Sequence, residues 1–75
     1  MNLKRIAAAT TVFQICEENE FLNVDNLVDC IDLYQYLSEG NMKSFEFVWQ
    51  KMQWDTDNEY FDAEDVEEMR EKFEN

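Results

Sequence analysis

Between Leu3 and Cys16, the residues Leu3, Ile6, Ala9, Thr10, Phe13 and Cys16 recur at steps of three and four, and similar spacings return later in the chain. This is the signature of one face of a 3.6-residue helical period. The chain has no proline and a single glycine, Gly40, so little interrupts those runs. The fold class expected is therefore all-α, a small bundle of about four short helices. At 75 residues it forms one domain, spanning 1–75, with a modest core. Apolar residues make up 45% and aromatics 15%, too much for the low-hydrophobicity signature of disorder.

The first helix is predicted from Leu3 to about Glu18, with Val12 and Ile15 widening its apolar face. Lys4 and Arg5 stand at its start and Glu17 and Glu18 at its end, the reverse of what the helix dipole favours, so it depends on packing. Asn19 to Val24 reads as a connection, with Asn23 or Asp25 placed to cap the second helix. That helix runs to about Glu39 and presents Leu27, Val28, Cys30, Ile31, Leu33, Tyr34 and Leu37. Gly40 closes it in the left-handed conformation that glycine takes without strain, and Asn41 caps the next helix. This third helix, from Met42 to about Gln53, fits Phe45, Val48, Trp49 and Met52. Phe45, Phe47 and Trp49 also alternate as a half-buried strand would, but Gly40-Asn41 is a stop-then-start signal and favours helix. Asp55 to Phe61 is expected as a loop or extended turn. Asp62 then caps a last helix whose narrow face holds Ala63, Val66, Met69, Arg70 and Phe73.

Charge is the second strong constraint. Asp and Glu number 18 against 6 Lys and Arg, a net charge of −12. That field repels nucleic acid and anionic lipid and favours basic proteins and cations. Between Ile6 and Met42 there are seven acids and no base. Asp25, Asp29, Asp32 and Glu39 follow steps of four, three and seven, which places them on one stripe of the second helix, opposite its apolar face. A further concentration runs from Asp55 to Glu68. Rows of carboxylates a few ångströms apart imitate the phosphates of a nucleic-acid strand in sign and spacing. A solvated face that merely happens to be acidic is the plain alternative.

Other chemistries fit poorly. Laid on the EF-hand pattern from Asp55, the first, third and fifth positions are Asp55, Asp57 and Glu59. The sixth is Tyr60 where glycine is required, and the twelfth is Val66 where a bidentate glutamate is required. There is no histidine, and a metal site from Cys16 and Cys30 alone is not expected, so no metal or cofactor is assigned. Paired carboxylates can act as acid and base in a cleft, but nothing in the pattern suggests one, and the chain is read as a non-enzyme. Lys4 and Arg5 before IAAATTVFQIC faintly resemble a signal peptide. Thr10, Thr11 and Gln14 interrupt the apolar run and no small-residue cleavage site follows. No run of 18 apolar residues is present. Cys16 and Cys30 lie seven residues either side of Asn23, so an antiparallel hairpin would set the thiols face to face. A disulfide is conceivable. Two small buried hydrophobes in a reducing cytoplasm is the favoured reading.

In size and charge only, the chain resembles small acidic proteins of phages and mobile elements, among them nucleic-acid mimics and inhibitors of host defence or transcription machinery. That resemblance carries no residue roles. The function expected is stoichiometric binding to a basic surface of another protein, one that itself binds nucleic acid, with no direct contact to nucleic acid or membrane. Asp25, Asp29, Asp32, Glu39, Asp55, Asp57, Glu59, Asp62, Glu64 and Asp65 would supply charge and fast association. Trp54, Tyr60 and Phe61 would be apolar anchors. Phe21, Tyr36 and Phe47 also fall off the helical stripes, and 75 residues cannot bury all eleven aromatics deeply. The rivals are a helical homodimerisation or adaptor module whose acidity serves solubility, and a weak calcium-responsive binder.

Overall fold

Asn2 starts the first helix by using its side-chain oxygen to accept from the backbone N–H of Lys4 and of Arg5, at 3.0 and 3.3 Å. The computed structural model describes the backbone of residues 2–56 and 60–74, and the side chains of 2–52 and 60–74. Within these residues the chain forms four helices, α1 (Leu3–Glu18), α2 (Leu27–Glu39), α3 (Met42–Thr56) and α4 (Ala63–Glu74). The all-α expectation is met. The chain measures 32 × 23 × 20 Å along its principal axes.

The start and end expected for α1 hold, but its buried face is turned. Ala9, Val12, Ile15 and Cys16 are buried, whereas Leu3 is 77% exposed, Thr10 is exposed and Phe13 is half-buried. The residues expected only to widen the face lie at its centre. The reason is that α1 packs against two neighbours, α2 and α4, and a helix apolar on most sides takes its buried stripe from what surrounds it. Thr10 and Thr11 satisfy their hydroxyls locally, donating to the carbonyls of Ile6 and Ala7 at 2.9 and 3.1 Å.

After α1 the chain reverses through Glu20, whose φ of 61° is left-handed. Asn23 does not cap α2 itself. Its side-chain oxygen accepts from the N–H of Asp25 and Asn26 at 3.0 and 3.1 Å, which closes the turn one step earlier. Asp25 makes no cap either; Asn26 occupies the N-cap position of α2 without a side-chain cap bond. At the other end Gly40 takes φ 77°, and the N–H of Asn41 reaches back to the Tyr36 carbonyl at 2.9 Å. That ends α2 as expected. Asn41 then accepts from Ser44 N–H at 3.3 Å and starts α3.

The strand alternative for the third segment is overturned. Phe45, Val48, Trp49 and Met52 are buried at helical spacing, while Phe47 is 73% exposed. The helix also runs past Gln53 to Thr56, so Asp55 and Thr56 belong to α3 and not to a loop. Asp62 caps α4, accepting from Asp65 N–H at 2.9 Å. Met69 is buried beneath it, and Phe73 stacks on Phe45 with ring centroids 5.2 Å apart.

The core is shared by the four helices, with Val12 from α1, Leu33 and Leu37 from α2, Phe45 and Met52 from α3 and Met69 from α4. Phe21 closes one end, with Tyr60 and Phe61 each 5.3 Å from it, centroid to centroid.

Candidate protein-binding surfaces

The four acids expected to form an open stripe on α2 are not equivalent. Asp25 lies in the turn before α2 and not on the helix; it and Glu39 are exposed, and Glu39 accepts from Gln35 at 3.2 Å. Asp29 is half-buried and ion-paired with Lys51 of α3 at 3.2 Å. Asp32 is half-buried beside a shallow cleft of about 380 Å³ that Lys43 and Phe47 also line. Asp29 and Asp32 therefore do not point away from the body of the protein. They flank the junction with α3, because α3 packs along that side of α2 and brings Lys43 and Lys51 with it. An acid held by a lysine contributes little field to an outside partner.

A second acidic row lies on α4. Glu64, Glu67, Glu68, Glu71 and Glu74 are all exposed and follow steps of three and four. Met69, Val66 and Phe73 occupy the opposite side and face the core. Neighbouring carboxylates on such a row stand about 5–6 Å apart at Cβ. From Glu64 to Glu74 the row is about 15 Å long at 1.5 Å per residue. Glu64 belongs to the site expected from sequence. Glu67, Glu68, Glu71 and Glu74 do not, because the acids up to Glu68 read as one concentration and not as a helix face. The i, i+3, i+4, i+7 spacing that identifies them is visible in the sequence. Asp62 is exposed and Asp65 half-buried at the head of the same helix.

Of the three aromatics expected as anchors, two lie in the body of the protein. Phe61 is 5% exposed and Tyr60 is half-buried, both held against Phe21. They close the end of the core and are not free to insert into a partner. The side chains of Trp54 and Asp55, and the whole of Asp57 and Glu59, lie outside the described residues.

The apolar surface is elsewhere. Of seven large hydrophobics exposed among the described residues, Leu27, Val28, Ile31 and Tyr34 are on α2 and Val24 lies in the turn before it. α2 has a broad apolar face, and the core uses only the strip of Cys30, Leu33 and Leu37. The remainder faces solvent beside α1. There Tyr34 meets Phe13 edge-on, 5.8 Å between centroids and 82° between planes. Phe13, Ile31 and Tyr34 line an open, wholly apolar cleft of about 280 Å³. The sequence places all of these α2 residues on one broad apolar face together with Cys30, Leu33 and Leu37. The signal that points outward is an apolar arc too wide for one helix of a small bundle to bury.

Cys16 and Cys30 are both buried and both free, facing each other across the α1–α2 hairpin. The hydrogen bond with Cys30, reinforced by burial, pushes the Cys16 thiol well above the usual thiol range. The same bond lowers Cys30, against burial and the nearby charge of Asp29. At the far end of α1, Lys4 and Arg5 share a cleft of about 340 Å³ with Lys72 of α4.

Among the described residues no group of three or more His, Cys, Asp or Glu side chains is placed to hold a metal ion, and no helix is long and apolar enough to cross a membrane. No family model, characterised protein or solved structure matches the chain.

Proposed function

We propose that this protein is a stoichiometric binder, not a catalyst. It sets an acidic face against a basic, nucleic-acid-binding surface of another protein and thereby blocks it. The observation that carries the reading is the α4 row: five exposed glutamates at helical spacing, opposite the residues that fix α4 to the core. A rigid helix holds like charges in order, as a phosphate backbone does, so a groove built for phosphates meets the same sign at similar intervals. The net charge of −12 extends the field well beyond that face and speeds encounter with a cationic partner. Such a role suits the counter-defence proteins of phages and mobile elements, which the chain resembles in size and charge.

The test is affinity capture from lysate with mass spectrometry, followed by competition with heparin or DNA for the captured protein. Under this reading the partner is basic and heparin displaces the acidic chain. Replacing Glu64, Glu67 and Glu68 together by lysine should slow association by about tenfold or more and flatten its dependence on salt. An association rate indifferent to those three reversals would refute the reading.

A second reading, a homodimerisation or adaptor module, is favoured by the apolar strip on α2. It requires a concentration-dependent mass in sedimentation without any partner.

A further inference from the structure

We infer that the apolar strip of α2, with the Phe13–Ile31–Tyr34 cleft at its edge, is a docking groove for a basic amphipathic helix. The inference rests on the protein-binding reading above and names the second surface that such a partner would engage.

The strip has the geometry of a helix seat. Leu27, Val28, Ile31 and Tyr34 follow steps of three and four, so they form one ridge along α2, and Val24 stands exposed in the turn before it. Leu27 to Tyr34 covers about 10 Å, roughly two turns of a facing helix. Phe13 of α1 stands beside the ridge and turns it into a groove, with Tyr34 held edge-on against its ring. An amphipathic helix lays its apolar face into this kind of groove through residues at i, i+3, i+4 and i+7.

The flanks state the charge of the occupant. Glu17 lies one turn beyond Phe13 on the α1 side, and exposed Glu39 lies on the opposite edge of α2, with exposed Asp25 in the turn before that helix. From Ile6 to Met42 the hairpin carries seven acids and no base. A helix with lysines or arginines beside its apolar face therefore finds a carboxylate on either side. A second copy of this chain does not, since joining strip to strip would bring two sets of these acids together in molecules that each carry −12. Among the described residues neither α3 nor α4 covers the groove: α3 lies on the Asp29 side of α2, and α4 packs against α1.

The experiment titrates the isotope-labelled full chain with a synthetic helix of about 18 residues, leucine at i, i+3, i+4 and i+7 and lysine elsewhere. A control peptide has the same composition with the leucines scattered around all sides. The expected result is that the amphipathic peptide shifts amide resonances from Val24 to Tyr34 and at Phe13. The scattered peptide should bind at least about tenfold more weakly. Ile31→Gln, with no change of charge at an exposed position, should weaken binding by a similar factor while the chain stays folded. Reversal of Glu64, Glu67 and Glu68 should weaken both peptides together and leave the ratio of their affinities within about twofold, because the α4 row is a separate surface. Equal affinity for both peptides, shifts confined to α4, or a dimer dispersed by Ile31→Gln would each overturn the inference. The association-rate test on α4 stands apart from these outcomes, so either surface can fail alone.

Discussion

Ile31 and Leu33 are two positions apart on α2, yet the structure assigns them opposite roles, and that contrast can be measured. Leu33 is 1% exposed, whereas Ile31 is 48% exposed. Burying a side chain of this size fully is worth about 1.5–3 kcal/mol, and Ile31 has gained only roughly half of that. Ile31→Ala removes part of that half and leaves no cavity, because the site opens to solvent. Its cost should be about 1 kcal/mol or less. Leu33→Ala removes the same kind of group from a closed site and leaves a void, at a cost of about 2–5 kcal/mol.

A 75-residue domain has a total stability of roughly 4–11 kcal/mol, so the second loss is a large share of the whole. Each kcal/mol moves the melting temperature of a domain this size by about 4–8 °C. Thermal unfolding followed by circular dichroism should therefore show Ile31→Ala within about 8 °C of the parent and Leu33→Ala lower by more than that. Urea titration gives the same ordering in free energy. Equal losses would mean that Ile31 is part of the core. The apolar strip would then not be a free surface, and the docking groove would go with it.

The same structure sets three further expectations. Added salt should raise the melting temperature, since a net charge of −12 repels itself in the compact state and screening relieves it; a curve indifferent to salt between about 10 and 500 mM would refute this. Gly40→Ala should cost roughly 1–2 kcal/mol in a urea titration from backbone conformation alone, because φ is 77° and an added Cβ would come no nearer than 4.0 Å to its closest neighbour. Cys16 and Cys30, each 1% exposed, should react with a thiol reagent slowly in the native state and rapidly in denaturant; fast native reaction would show that the α1–α2 hairpin opens readily.

The elements are legible in the sequence because their punctuation is. Gly40-Asn41 marks one boundary through a backbone conformation that few residues accept, and Asp62 marks another by offering an acceptor to a free N–H. Rotation about the helix axes is harder to read. A period of 3.6 says that α1 and α2 have apolar faces, but it does not say which part of a wide face meets a neighbour. Ala9 and Val12 are buried on α1, and Leu3 is not, because of where α2 and α4 lie. Phe21, Tyr60 and Phe61 look unplaced because they belong to connections, where no helical period applies. Their role as a plug exists only once the ends of α1 and α4 are brought together. The α2 acids mislead for the related reason that lysines of α3, distant in sequence, are needed to judge their availability.

The acidic and apolar surfaces bear on each other through what each supplies to binding. Charge acts over about a Debye length and sets how fast and in what orientation a partner arrives. It contributes less to how long the partner stays, because exposed ion pairs are weak. Desolvated apolar contact does the reverse. On this chain the anchoring role cannot fall to Phe61 or Tyr60, which are already packed in the body of the protein. The described surface richest in apolar side chains is the α2 strip, and its own borders are acidic. Steering and holding can thus meet on the α1–α2 hairpin, while the α4 row adds field from a second side. That division predicts which parameter each change moves: glutamate reversals on α4 alter the rate of arrival, and polar substitutions on α2 alter the rate of departure.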